Sequence, residues 1–262
     1  MRRYLRLLRT QLRVSATLAM QYRTDFVLKG VMALFWIGIT LTPLLVVFSH
    51  RTKVAGWSYP EALVVLGCFS LLKAVLEGGV SPSLTAVVEG VRTGSLDFVL
   101  LKPADAQFLV STARFEPWRV VDVFGAFAIF AYAFSLLGRW PAVSDLLVAA
   151  TLLVMATLLL YSIWILVVSA SFWVVRVDNL SYLFGSIFDA ARWPVSMFPS
   201  VLRVVFTVVF PLALMTTYPA KALIGGLTAA TAALALMGGT AFAVAARLVW
   251  LRAVRFYTSA SS

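Results

Sequence analysis

The chain has 262 residues, of which 61% are apolar and 13% charged, and its mean hydropathy is +0.94. A soluble one- or two-domain protein does not carry that composition, so the expected fold is an all-α polytopic membrane protein. The net charge of +11 comes from 22 Lys and Arg against 11 Asp and Glu; these charges flank apolar runs, which favours anionic lipid over nucleic acid as their partner.

The first 29 residues carry Leu5, Leu8 and Leu12 at helical spacing and Arg2, Arg6, Arg9 and Arg13 on another face. That pattern predicts an amphipathic helix lying on an anionic membrane surface. A secretory signal is the rival reading, but Gln11, Arg13, Gln21, Arg23 and Asp25 interrupt any early apolar region, so the arm is expected to stay in the mature protein. A disordered basic tail would not need the leucine register.

The rest, 30–262, is expected to form a permease domain of six spans. The first runs from about Gly30 to Phe48 and the second from about Pro60 to Val80, joined by a short link holding His50. As the only histidine, His50 excludes histidine triads and histidine metal clusters built from this chain alone, and the single Cys68 excludes an intrachain disulfide. After a long polar loop, 81–114, the third span is about Val121 to Leu137 and the fourth about Leu146 to Val175, long enough to tilt or protrude. Arg176, Val177 and Asp178 are expected to turn into a fifth helix that starts near Leu180 and meets Pro194 and Pro199. The apolar run Val201 to Leu214 is too short to span comfortably and predicts a re-entrant element. A last span, about Ala222 to Trp250, is dense in Gly225, Gly226, Ala229, Ala230, Ala233, Gly238 and Gly239, a spacing that lets helix backbones approach.

Positive charge sets the orientation. With the N-terminus inside, the arm, the central loop, Arg176 and the C-terminal end (Arg247, Arg252, Arg255) hold most of the Lys and Arg. Only Arg51, Lys53, Arg139, Arg192, Arg203 and Lys221 fall outside. Both termini and the loop 81–114 are therefore expected in the cytosol.

Within that loop, Ser81-Pro82 reads as a helix start, with Ser as N-cap and Pro at the first position. Leu84, Val87, Val88 and Val91 then form a stripe at i, i+3, i+4 and i+7, and Gly94 reads as the helix stop. Periodicity leaves open whether the stripe meets lipid, the protein's own helices or a partner.

The run from Arg92 to Pro103, RTGSLDFVLLKP, resembles the signature loop of permease subunits of type-2 ABC exporters, in which Gly-Thr/Ser-Leu-Asp leads to Leu and then Pro. ARWPVSMFP at Ala191 to Pro199 and FPLALMTTYPAKALIG at Phe210 to Gly225 are similar to the region before the last helix in one branch of those permeases. The resemblance implies a transmembrane subunit in a bacterial inner membrane, partnered by a second permease, identical or similar, and by cytosolic ABC ATPase subunits. It also implies that the loop forms a coupling helix in a groove of the ATPase, carried by the stripe and by Gly94, Ser95, Leu96, Asp97, Leu100 and Pro103. Gly94 would allow the turn, Leu96 and Leu100 would be buried, and Asp97 would hold the turn or pair with a basic group. Export as the direction rests on the family alone. The chain has no G-x-x-x-x-G-K-[ST] motif, so no cofactor is expected in it, and ATP and Mg would be used by the partner.

Ionisable residues inside the apolar spans are candidates for function. Lys73 and Glu77, four apart, are expected to pair. Asp189 and Arg192 are expected near mid-membrane, either as a mutually neutralising pair shaping the break at Pro194 or as groups on the translocation path. Trp36, Phe69, Trp164 and Phe172 could line a route for an amphiphile or face lipid and neighbouring helices. An ion-coupled secondary transporter or channel is the alternative function. It would be expected to show inverted repeats and several buried carboxylates, whereas only one broken helix and one deep Asp are visible. A membrane enzyme lacks the nucleophile, carboxylate pair or metal cluster it would need.

Overall fold

The structure, a computed structural model, describes residues 2–21, 23–173 and 178–256. It is an all-α membrane protein with a single two-residue β-ribbon among the described residues. Among the described residues five helices are long and apolar enough to cross a bilayer, and six if one bent pair counts as a span.

Helix α1, Arg2–Gln21, is amphipathic and buries no residue fully. Helix α2, Arg23–His50, takes in the last residues of the expected arm as well as the first span. It is packed on one narrow side only: Val31, Leu34, Phe35 and Leu45 are exposed, as lipid-facing positions are. Pro43 lies inside it, a residue that spanning helices tolerate.

A ribbon of β1, Lys53–Val54, and β2, Trp57–Ser58, turns the chain into α3, Tyr59–Val75. The Glu61 carboxylate accepts from both the backbone N–H and the hydroxyl of Ser58, which fixes the start of α3. Helix α3 is the centre of the molecule, with Ala62 through Leu66 and Cys68 fully buried.

The expected break at Ser81-Pro82 does not occur. Ser81 is helical (φ −62°, ψ −47°), and Tyr59–Thr93 is one 35-residue helical run through a π-turn, Leu76–Val80, into α4, Ser81–Thr93. The proline is absorbed by its surroundings. Pro82 has no N–H for the carbonyl of Gly78, and that carbonyl accepts the Glu116 N–H at 2.8 Å instead. The glycines make room for this approach: a Cβ at Gly78 would stand 3.3 Å from Arg119 Cβ, and one at Gly79 the same distance from the Phe115 ring. At 1.5 Å per residue the run is about 50 Å long, well beyond a hydrocarbon core of about 30 Å, so α4 extends past the membrane.

Gly94 ends α4 as expected, with φ +74° and the Leu96 N–H reaching back to the Gly90 carbonyl at 3.1 Å. Short helices α5, Asp97–Leu100, and α6, Ala106–Ser111, lead to a 3-10 turn, Pro117–Arg119, and to α7, Val120–Leu137. Helix α8, Val143–Ala170, starts at the expected place of the fourth span but ends at Ala170, five residues before the expected Val175, and Val174 and Val175 lie outside the described residues. Of the turn expected after it, Arg176 and Val177 lie outside the described residues.

The C-terminal third departs most from expectation. Helix α9, Asp178–Asp189, has 12 residues, about 18 Å, and is too short to cross. Two 3-10 turns, Ala190–Arg192 and Val195–Met197, precede α10, Ser200–Val204, and a π-turn, Val205–Val209. A second π-turn, Ala213–Thr217, and α11, Tyr218–Leu223, follow. The stretches Ser200–Val209 and Ala213–Leu223 meet at 78°, so the break falls inside the run expected to be re-entrant. The last span begins at Ala229, not Ala222: Gly225 ends the preceding turn at φ +74°, and Thr228 caps α12, Ala229–Arg255, by accepting the Thr231 N–H. Of the expected small residues Gly239 packs, its would-be Cβ 2.6 Å from Met155, while Ala229, Ala230 and Ala233 are exposed. Helix α3 packs along α7, and α8 along α12 and α11.

The arm, the central loop and the C-terminal part of α12 gather at one end of the bundle. The Tyr4 hydroxyl accepts the Asp105 N–H at 3.2 Å, Thr112 donates to Gln11 at 2.6 Å, and the Phe115 N–H reaches Ser15 at 3.2 Å. At the opposite end Trp57 donates to Ser196 at 2.8 Å and Arg139 to the Ile224 carbonyl at 2.9 Å.

Candidate functional site

The loop 81–114 divides into an inner and an outer surface. Of the predicted stripe, Leu84 and Val87 are buried in the chain's own core, and Val88 and Val91 pack half-buried against it. Leu96 is also buried and Leu100 half-buried in the same core. The amphipathic face of α4 is thus spent on the bundle. Gly94 is the left-handed turn, Ser95 bonds Thr93 at 3.0 Å through their hydroxyls, and Asp97 opens α5.

What the loop offers to solvent is Phe98, 72% exposed, and Leu101, 81% exposed, with Lys102 and Pro103 exposed beside them. The ion pair Glu89–Arg92, at 2.8 Å, lies on the exposed side of α4. Neither Phe98 nor Leu101 stands out by periodicity, because α5 is a single turn and offers no stripe.

This outer surface is held by a polar lattice. Asp105 caps α6 by accepting the Phe108 N–H at 2.9 Å, and its carboxylate pairs with Arg247 of α12 at 2.6 Å. Arg247 also donates to the Gln107 side-chain carbonyl. Gln107 donates in turn to the Tyr161 hydroxyl of α8 at 2.9 Å, which lies 2.7 Å from Ser111 Oγ. A separate tie holds the end of the loop to α4: Ser83 donates to the Arg114 carbonyl at 2.6 Å and accepts the Arg114 N–H at 3.1 Å. The Arg247 guanidinium holds the Asp105 carboxyl below the usual carboxylate range, against the opposing effect of partial burial. An Asp just before an apolar turn is a legible N-cap signal; its partner 142 residues away is not.

Beneath the loop lies a ladder of alternating charge. Asp189 meets Lys73 at 3.1 Å, while Lys73 stands 3.8 Å from Glu77. Glu77 pairs with Arg119, which bonds Asp122 at 2.9 Å. Arg192 reaches Asp189 at 3.5 Å and donates to its backbone carbonyl at 2.7 Å. The expected pairs exist, but Lys73 is shared and leans to Asp189, because the end of α9 folds onto α3. The Phe69 ring lies between the cations, 5.6 Å from Lys73 Nζ and 5.8 Å from the Arg192 guanidinium. Trp36 lines the same region, Trp164 is buried, and Phe172 packs on Trp250 at 5.9 Å.

A family model described as ABC-2 family transporter protein matches residues 34–261. Neither a comparison with curated proteins nor one with solved structures finds a match. The matched stretch takes in every helix from α3 to α12, including the loop with its exposed tip and the lattice behind it. With membrane-length apolar helices and most of its length under that model, the chain belongs to the ABC-2 transporter family and is a multi-pass membrane permease subunit of an ABC transporter.

Proposed function

We propose that the chain is the transmembrane subunit of an ATP-driven exporter, forming half of a translocation pathway with a second permease and docking a separate cytosolic ATPase through Gly94–Pro103. The reading rests on one observation: two large apolar side chains, Phe98 and Leu101, stand in solvent on a segment wired into the bundle, beyond the end of a helix longer than the membrane is thick. Exposed apolar anchors on a fixed support are what a protein partner buries. In this arrangement Leu84, Val87, Val88, Val91, Leu96 and Leu100 transmit force inward, and Phe98 and Leu101 receive it. The loop, the arm and both termini then face the cytosol of a bacterial cell, and ATP and Mg are used by the partner.

Replacing Phe98 and Leu101 together by Asp should weaken co-purification of the ATPase at least about a hundredfold, since each buried apolar anchor contributes roughly 1.5–3 kcal/mol and about 1.4 kcal/mol is a factor of ten. Chain level in the membrane should not change. Undiminished ATPase binding by the double variant would sink the docking assignment.

Asp189 and Arg192, at the break between α9 and the next turn and 40% and 28% exposed, are proposed to face the translocation path. Asp189→Asn and Arg192→Gln should each reduce transport severalfold at equal protein level. Full transport by both variants would assign the pair to shaping the break alone.

A further inference from the structure

A cavity of about 330 Å³ lies at the loop end of the bundle, between α1, α4, α5 and α6. Its floor is apolar: Val87, Leu96, Leu109 and Val110 line it and are themselves buried. Two exposed cations, Lys102 and Arg114, stand at its rim, and no Asp or Glu is among the lining residues. Neither cation makes an ion pair among the described residues, whereas Arg247 at the same end of the bundle is engaged by Asp105. The other polar liners are used within the chain. Gln11 accepts from Thr112, Ser95 bonds Thr93, and Ser83 bonds the backbone of Arg114. Ammonium and guanidinium groups only donate, so the charge left over at this apolar hollow matches an anionic group that brings apolar surface with it.

The cavity stands on the water side of the membrane. Gly90, one of its liners, lies about 46 Å along the helical run that starts at Tyr59, more than the roughly 40–45 Å of a whole bilayer with its headgroup layers. A lipid would have to leave its leaflet to cover the floor, whereas a protein in the water meets it directly. The cavity is also continuous with the exposed tip of the loop: Phe98 and Leu101 stand in solvent, Leu96 and Val99 line the cavity, and Lys102 at the rim follows Leu101. A partner that covers Phe98 and Leu101 therefore lies over the mouth. The volume is at the lower end of the range of small-molecule pockets, about 300–1,000 Å³, and suits one or two protruding side chains.

We infer that this cavity is a socket for the ATPase, taking from it an apolar side chain, seated on Val87, Leu96 and Leu109, and an adjacent carboxylate paired with Lys102 or Arg114. The inference rests on the docking reading given above and adds the chemistry of the partner's contact segment, which is acidic as well as apolar. Contact then runs both ways. Phe98 and Leu101 enter the ATPase, and the ATPase enters the loop.

The test uses the full chain in nanodiscs and the purified co-expressed ATPase, with affinity read at low and at high salt. Wild-type affinity should fall about tenfold at high salt, because a charge pair at a rim is screened. Lys102→Gln combined with Arg114→Gln should lower the low-salt affinity about tenfold and remove most of the salt dependence. Both residues are exposed, so these variants should keep the wild-type level and size-exclusion profile. Ala113→Trp, a change at an exposed lining residue that alters no charge, should block the mouth and weaken binding at both salts. Arg51→Gln, in the exposed link between α2 and α3, should change nothing. Unaltered affinity and salt dependence after loss of both cations would overturn the inference, as would full binding by Ala113→Trp. So would a loss seen only in nanodiscs containing phosphatidylglycerol and absent in phosphatidylcholine alone, which would assign the cations to lipid. If the socket variants bind normally while Phe98→Asp with Leu101→Asp does not, the socket falls and the docking reading stands. If the Phe98 and Leu101 variant also binds normally, the docking reading falls with it.

Discussion

Arg247→Ala should leave the chain in the membrane at normal level but lower ATP-dependent transport about tenfold. Arg247 is the one residue of α12 that holds both Asp105 and the Gln107 side chain, and through Gln107 it reaches Tyr161 on α8. Removing it frees the base of the loop from two spanning helices at once. A hydrogen bond to a charged group contributes about 1.5–3 kcal/mol when shielded. The Arg247 and Asp105 side chains are 41% and 35% exposed, so the lower end applies. The expected signature is ATPase that still binds while ATP hydrolysis and transport lose their proportion. Arg247→Lys should recover part of the coupling, since a Lys keeps the charge but cannot reach Asp105 and Gln107 together. Transport and ATP turnover that both match the wild type would remove the lattice from the coupling route.

The same tie carries a pH dependence. The folded Asp105 carboxyl titrates below its ordinary value, so the stability it contributes is fully present above that value, about 4, and is lost as the pH falls through the lower folded one. Asp105→Asn should reproduce at neutral pH the weakened tie that acid produces in the wild type.

Gly67→Leu should destabilise the protein by overpacking the contact between α3 and α7. A Cβ at Gly67 would stand 2.6, 2.8 and 2.9 Å from three ring atoms of Phe130, so the ring itself has to move. Phe130 sits on α7, whose packing along α3 is one of the two most extensive helix contacts, and its ring packs half-buried against the core. Overpacking of this kind costs roughly 1–3 kcal/mol and more when a backbone must shift. The melting temperature of detergent-purified protein, followed by size exclusion, should drop by several degrees with much of the material aggregated. Gly38→Leu is the matched control, because nothing lies within 4 Å of a Cβ there and the position faces lipid. Equal melting of the two variants would contradict the close α3–α7 approach.

Much of the architecture is legible from the sequence because its signals are local. Apolar runs of spanning length mark α2, α3, α7, α8 and α12, since every backbone group in lipid must be bonded within its own helix. Gly94 stops α4 through its own positive φ, and the leucine and arginine registers of the arm give a two-faced helix. The gathering of arm, loop and C-terminal arginines at one end agrees with the bias of positive charge. Where local rules fail, a distant residue has taken over. Ser81-Pro82 reads as a helix start, yet the N–H of Glu116 satisfies the carbonyl that Pro82 leaves open, and the helix continues.

The sequence by itself determined the membrane class, the approximate place of α2, α3, α7, α8 and α12 and the motif that resembles ABC-2 permeases, but not the fifth span it led one to expect, whose helix is too short to cross. These follow from composition, from 3.6-residue periodicity and from residues adjacent in the chain. Only the tertiary structure decided which face of α4 is spent inside the bundle, leaving Phe98 and Leu101 outside, and that Arg247 anchors Asp105. It also decided that Lys73 turns to Asp189, 116 residues away, more than to Glu77 one helical turn along. Charge and apolar surface can be counted along a chain. The partner that neutralises the one or covers the other is fixed only when distant helices close on each other.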